Sequence, residues 1–189
     1  MTIDLKLFGP IGAFAGTWQS SRGDDTAPGD FRDVEKNAFR EEIIFTPVEP
    51  TDNHEQTLYV LSCTRTAWRV LAADPFQRQL GYWLWDPAIK KLMHSFTIPR
   101  GMTVMAGGDA QADSTLLLLK ATRGSSTFGI VPIRSWKKNS GRSDTKLLLL
   151  SLALNHLATE RTRTFKLRDR RTFSTMSIRA RWKRRLNRA

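Results

Sequence analysis

The chain has 189 residues, and its 40% hydrophobic and 10% aromatic content excludes a fully disordered polymer while allowing one domain with a real core. Its formal charge of +12 is lopsided: Met1–Val131 carries 13 basic and 15 acidic residues, Pro132–Ala189 carries 17 basic and 3 acidic, so a mildly acidic globular sequence precedes a strongly basic one. The single Cys63 excludes an intramolecular disulfide and any multi-cysteine zinc site, which points to a reduced, cytoplasmic setting.

Leu5–Phe14 reads as a turn or single helical turn. The apolar stretch it begins lacks a basic start and is broken by Gly9, Pro10, Gly12 and Gly16, unlike a signal peptide. A first strand starts at Gly16-Thr17-Trp18-Gln19-Ser20, and Ser20–Asp33, rich in Gly, Asp, Ser and Pro, reads as a loop. Glu41–Thr46 and Gln56–Arg69 carry β-branched and aromatic residues, with Pro47, Pro50, Asp52 and Asn53 between them. Further strands are predicted at Gly81–Trp85, Lys91–Ile98, Met102–Ala106 and Thr115–Thr122, with turns at Asp86-Pro87, Pro99-Arg100-Gly101 and Gly107-Gly108-Asp109. Regularly spaced short strands without a helical period predict an all-β, closed antiparallel sheet or sandwich. The longest apolar run, Leu147–Leu157, is interrupted by polar residues and is shorter than the about 20 residues a membrane span requires. No span is expected.

Strand alternation aims the side chains. Leu92, His94, Phe96 and Ile98 share one face, so His94 points inward; its ordinary reading is a hydrogen-bonded interior histidine, and the other is ligand contact. Tyr82 and Leu84 alternate with Trp83 and Trp85, so one pair faces in. Arg100 sits at a strand end, where it is solvated or caps a pocket mouth. Glu41 and Glu42 point to opposite faces and cannot act as a carboxylate pair. His54 lies in a polar turn, Cys63 reads as a small half-buried hydrophobe, and no pattern supports a Ser/His hydrolase.

Gly16-Thr17-Trp18, Gly81-Tyr82-Trp83-Leu84-Trp85-Asp86, Ile98-Pro99-Arg100-Gly101 and Ala106-Gly107-Gly108, in this order and spacing, resemble the nitrobindin-like haem-binding β-barrel family, related in shape to fatty-acid-binding proteins. The likeness runs from about Phe8 to Val131. It implies an antiparallel up-and-down barrel, ten-stranded in the family, around an apolar cavity that holds a small hydrophobic ligand or haem b. In the family a histidine near the C-terminus ligates ferric haem, whose iron can isomerise peroxynitrite to nitrate. Carried onto this chain, the resemblance implies ligand-binding roles for Gly16, Thr17, Trp18, Gln77, Trp83, His94 and Arg100, with His94 the candidate metal ligand. Departures are specific. Ser20 stands where the first-strand pattern has glycine, Phe76-Gln77 where some members have Phe-His, and the C-terminal Phe-Asp-His-x-Asp segment with the axial histidine is absent.

The codons of Pro132–Lys138, read from the last base of each, permit Asn-Pro-Phe-Met-Glu-Lys, and those of Arg171–Lys183 permit a segment containing Phe-Asp-His-Val-Asp. In the family, Gly-Ile-x is followed by something like Ser-x-Pro-Phe-Met, so this segment and Phe-Asp-His-x-Asp both return in one shifted frame. The reading frame is therefore expected to change near Val131, giving a barrel domain over 1–131 and a basic, irregular segment over 132–189 in which Lys146–Leu152 and Arg163–Leu167 are the extended-compatible stretches. The encoding DNA tests this directly: codons at Pro132–Lys138 that cannot spell Pro-Phe-Met in the shifted frame would end the idea. A barrel deprived of its last strands keeps open edges, so incomplete closure and an aggregation-prone product are expected. The alternative function is nucleic-acid or anionic-surface binding through the basic run Arg161–Arg188, whose Phe165, Phe173 and Trp182 could stack on bases; without a recognition motif, only non-specific polyanion binding is expected of it, with no specific nucleic-acid partner.

Overall fold

The computed structural model describes residues 3–28, 34–132, 147–153, 161–168, 173–180 and 183–184. A 3-10 segment, Leu5–Phe14, precedes twelve strands: β1 (Gly16–Pro28), β2 (Val34–Asp52), β3 (Thr57–Arg69), β4 (Pro75–Asp86), β5 (Lys91–Ile98), β6 (Met102–Asp109), β7 (Leu116–Arg123), β8 (Gly129–Pro132), β9 (Leu147–Ala153), β10 (Arg161–Arg168), β11 (Phe173–Ala180) and β12 (Lys183–Arg184). They form one mostly antiparallel sheet in the order β10-β11-β1-β2-β3-β4-β5-β6-β8-β7-β9, with β12 pairing β1. From β1 to β6 each strand pairs with its successor, the up-and-down meander that the family resemblance implies. The sheet departs from it at β8, which lies between the diverging ends of β6 and β7 and runs parallel to β7. The two end strands, β9 and β10, lie side by side, yet no hydrogen-bonded ladder joins them among the described residues. The barrel is open along that seam.

Three local expectations change. Ser20–Pro28, read as loop, continues β1: after a bulge between Ser20 and Gly23 it pairs with Val34–Phe39. Pairing in a long hairpin overrides the local turn composition. The prolines of 47–50 do not end β2, because β1 begins opposite Phe45 and leaves that stretch of β2 without a neighbour on one side. A missing N–H is tolerated there, and the ladder slips by a bulge between Val48 and Thr51. Gly107-Gly108-Asp109, read as a turn, is the end of β6. Gly108 is required by proximity rather than by a turn: a Cβ there would lie 2.0 Å from the Leu118 carbonyl oxygen.

Phe8, Ile11 and Phe14 of the 3-10 segment are completely buried, so this segment is a plug rather than a surface turn. Phe8 meets Tyr59 at 5.5 Å between ring centroids, and Phe14 meets Phe45 at 5.4 Å and Trp83 edge-on at 5.5 Å. Gly9, at φ 51°, lets the segment turn against Trp85, whose Nε1 would be 2.5 Å from a Cβ at that position. The plug therefore closes the end where β3 begins and β4 finishes. The main core gathers around it, and a second small cluster of Phe39, Ala67 and Phe76 lies toward the opposite end. No helix among the described residues is long and apolar enough to cross a membrane.

Candidate functional site

Between the two apolar clusters the inner wall carries a row of buried polar side chains: Ser20 on β1, Glu41 on β2, Arg65 on β3, Gln79 on β4 and His94 on β5. Alternation explains why they face inward. On β4, Leu80 is 63% and Tyr82 50% exposed, which puts Gln79, Trp83 and Trp85 on the inner face and settles which tryptophan-bearing register points in. On β5, Leu92, His94 and Phe96 are buried as their spacing predicts.

His94 is 1% exposed and held from both sides. Its ring stacks on Trp83 at 4.2 Å and 20°, and Phe96 lies at 4.9 Å. Its Nε2 lies 3.5 Å from the Gln79 amide nitrogen, which donates along that edge. The ring is flat between aromatic partners, with a polar edge turned to an amide.

Arg65 Nε donates to Glu41 Oε2 in an ion pair whose side chains are 2% and 1% exposed. Arg65 lies directly across from Gln79, and Ser20 across from Glu41. Glu42, one residue on, reaches the other face and accepts from Gln19 Nε2 at 2.6 Å, so the two adjacent carboxylates are separated as expected. Two buried donors on inner-wall residues, Arg65 Nη1 and Trp83 Nε1, have no acceptor among the described residues. A buried unpaired polar group costs about 1–3 kcal/mol, so each favours whatever acceptor can reach it.

Farther toward the second cluster, Arg69 lies over Phe76 at 4.2 Å, and Phe76 meets Phe39 edge-on at 6.4 Å. On the outer side of the same hairpin, Arg40 covers Trp68 at 4.5 Å and donates to the Ala72 carbonyl at 3.1 Å, which braces the turn between β3 and β4.

The residues singled out by sequence do not all converge. Trp83 and His94 form the aromatic stack. Trp18 faces inward, half-buried, its Nε1 donating to the Phe14 carbonyl at 2.6 Å, so it fastens the plug. Gly16 opens β1 opposite Phe45. Thr17 stands opposite Ile44, which is 37% exposed, and so lies on the outer face. Gln77 is half-buried on the inner face, two positions from Gln79, and Arg100 is exposed in the turn joining β5 to β6. Glu41, Arg65 and Gln79 escaped the sequence reading as site residues, although Gln79 shares the parity of Trp83 and could have been found from it. His54 is exposed in its turn, and Cys63 is buried rather than half-buried. No group of three or more metal-ligating side chains occurs among the described residues. The side chains of the basic run Arg161–Arg188, and His156, lie outside them.

A plugged, mostly antiparallel single sheet with a polar row enclosed between apolar clusters belongs to the class of small β-barrel domains. More narrowly, the chain belongs to the THAP4-like, heme-binding beta-barrel domain family, the nitrobindin family, whose match covers residues 7–171 and so reaches past Val131. Among solved structures, the crystal structure of Rv2717c from M. tuberculosis resembles it with a TM-score of 0.64 over 94% of this chain and 98% of that one, at 16% identity, a likeness of fold. None of the curated proteins matches the chain.

Among the described residues, His94 is the candidate that the sequence offers for a haem ligand. An axial imidazole must present a ring nitrogen edge-on to iron. Here the Nε2 edge faces the Gln79 amide, and Trp83 and Phe96 flank the ring.

Proposed function

We propose that this barrel binds a small apolar ligand in its interior and that His94 is a structural member of the wall, not a ligand to haem iron. The family match supports ligand binding as the activity to expect. The observation that carries the assignment of His94 is its enclosure, with Trp83 stacked at 4.2 Å and Gln79 against Nε2. The family's peroxynitrite isomerisation depends on a ligated haem, and this chain retains no Phe-Asp-His-x-Asp segment to hold one.

Haem reconstitution tests this. Hemin titrated into the full chain and into His94→Ala is expected to give superimposable Soret bands at equal folded protein. A histidine-type band in the parent that disappears in the variant, and returns when imidazole is added, would make His94 the ligand and overturn the proposal.

A further inference from the structure

The interior donors define the ligand more narrowly than its apolarity does. Arg65 Nη1 is buried and lacks an acceptor among the described residues, and so does Trp83 Nε1 on the neighbouring strand. Both residues sit on the inner wall, Arg65 within the polar row across from Gln79 and flanked along β3 by Cys63 and Ala67. The charge of Arg65 is already matched one for one by Glu41. What the wall lacks at this point is an acceptor atom, not a countercharge. A carboxylate placed here would bring a second negative charge beside Glu41 with one guanidinium to balance both, and a buried unmatched charge is strongly disfavoured. A hydrocarbon without a polar atom would leave the N–H unpaired.

We propose that the barrel recognises an apolar molecule bearing one uncharged hydrogen-bond acceptor, a carbonyl, whose oxygen accepts from Arg65 Nη1 while its hydrocarbon part lies against the apolar wall. This deepens the proposed function and rests on the interior being the binding site.

Three probes of similar length separate the possibilities when titrated into the full chain with tryptophan fluorescence as the readout: 2-octanone, 2-methyl-1-octene, in which a methylidene replaces the carbonyl, and octanoate. The ketone is expected to bind about tenfold more tightly than the alkene, the worth of one hydrogen bond to a charged donor, and more tightly than octanoate. In the Glu41→Gln, Arg65→Met double variant the ketone and the alkene are expected to bind equally. Equal affinities in the parent would show that solvent serves the donor and would overturn the carbonyl assignment while leaving the ligand-binding barrel intact. Tightest binding by octanoate would overturn the charge argument. Failure of all three to bind would instead remove the proposed function itself. Should the double variant not fold, the ketone-to-alkene ratio in the parent still decides.

Discussion

Replacing Glu41 with alanine is expected to destabilise the chain by about 3–5 kcal/mol, because it strands the Arg65 guanidinium in the barrel interior. Both side chains are nearly inaccessible, so water cannot take over the solvation that the carboxylate supplies. The neighbouring polar groups do not replace it: Gln79 across the ladder is turned to His94, and Arg65 Nη1 already lacks an acceptor. Removing both charges together should behave differently. Glu41→Gln with Arg65→Met keeps the volume, abolishes the ion pair and leaves no isolated charge, and such exchanges are often neutral or stabilising. Urea unfolding of the parent, the single variant and the double variant checks this. The midpoint should collapse in Glu41→Ala and recover in the double variant. A single variant within about 1 kcal/mol of the parent would mean that Arg65 can leave the interior, which contradicts its placement on the inner wall.

How much of this was legible beforehand depends on the period of the side chains. His94 and its apolar neighbours on β5 are an unbroken alternation of eight residues, and the strand has the bounds its sequence predicts. Trp83 is equally readable once one asks which of two alternating pairs is buried. Glu41 and Arg65 are not. A charged residue at an inward parity is ordinarily taken as evidence that the face is solvated, and the two stand 24 positions apart in sequence, so only the β2–β3 ladder reveals that each compensates the other. The length of β1 was hidden for a related reason: Gly23, Asp24, Asp25 and Pro28 favour turns locally, and it is the long hairpin with β2 that keeps them extended. Leu5–Phe14 is legible in sequence as a turn or single helical turn, but not as a plug. Its three fully buried apolar side chains, Phe8, Ile11 and Phe14, follow a 3-10 path interrupted by Gly9, which no regular period exposes.

Replacing Trp83 with alanine is expected to have a comparable effect by another route, about 3–5 kcal/mol lost from an aromatic side chain deleted in a packed interior. Trp83 touches both the plug and β5: it meets Phe14 edge-on at 5.5 Å and stacks on His94 at 4.2 Å. Its deletion therefore unseats the plug and opens a void beside the polar row. The two contacts can be told apart by double-mutant cycles against Phe14→Leu and against His94→Ala, with stability read from denaturant unfolding. An edge-on aromatic pair adds about 0.5–1.5 kcal/mol beyond the area it buries, and residues in contact reveal such terms as non-additivity. Coupling is expected in both cycles. Additivity of Trp83 with His94 would mean that the stack contributes nothing, and would count against the proposal that His94 is a structural member of the wall.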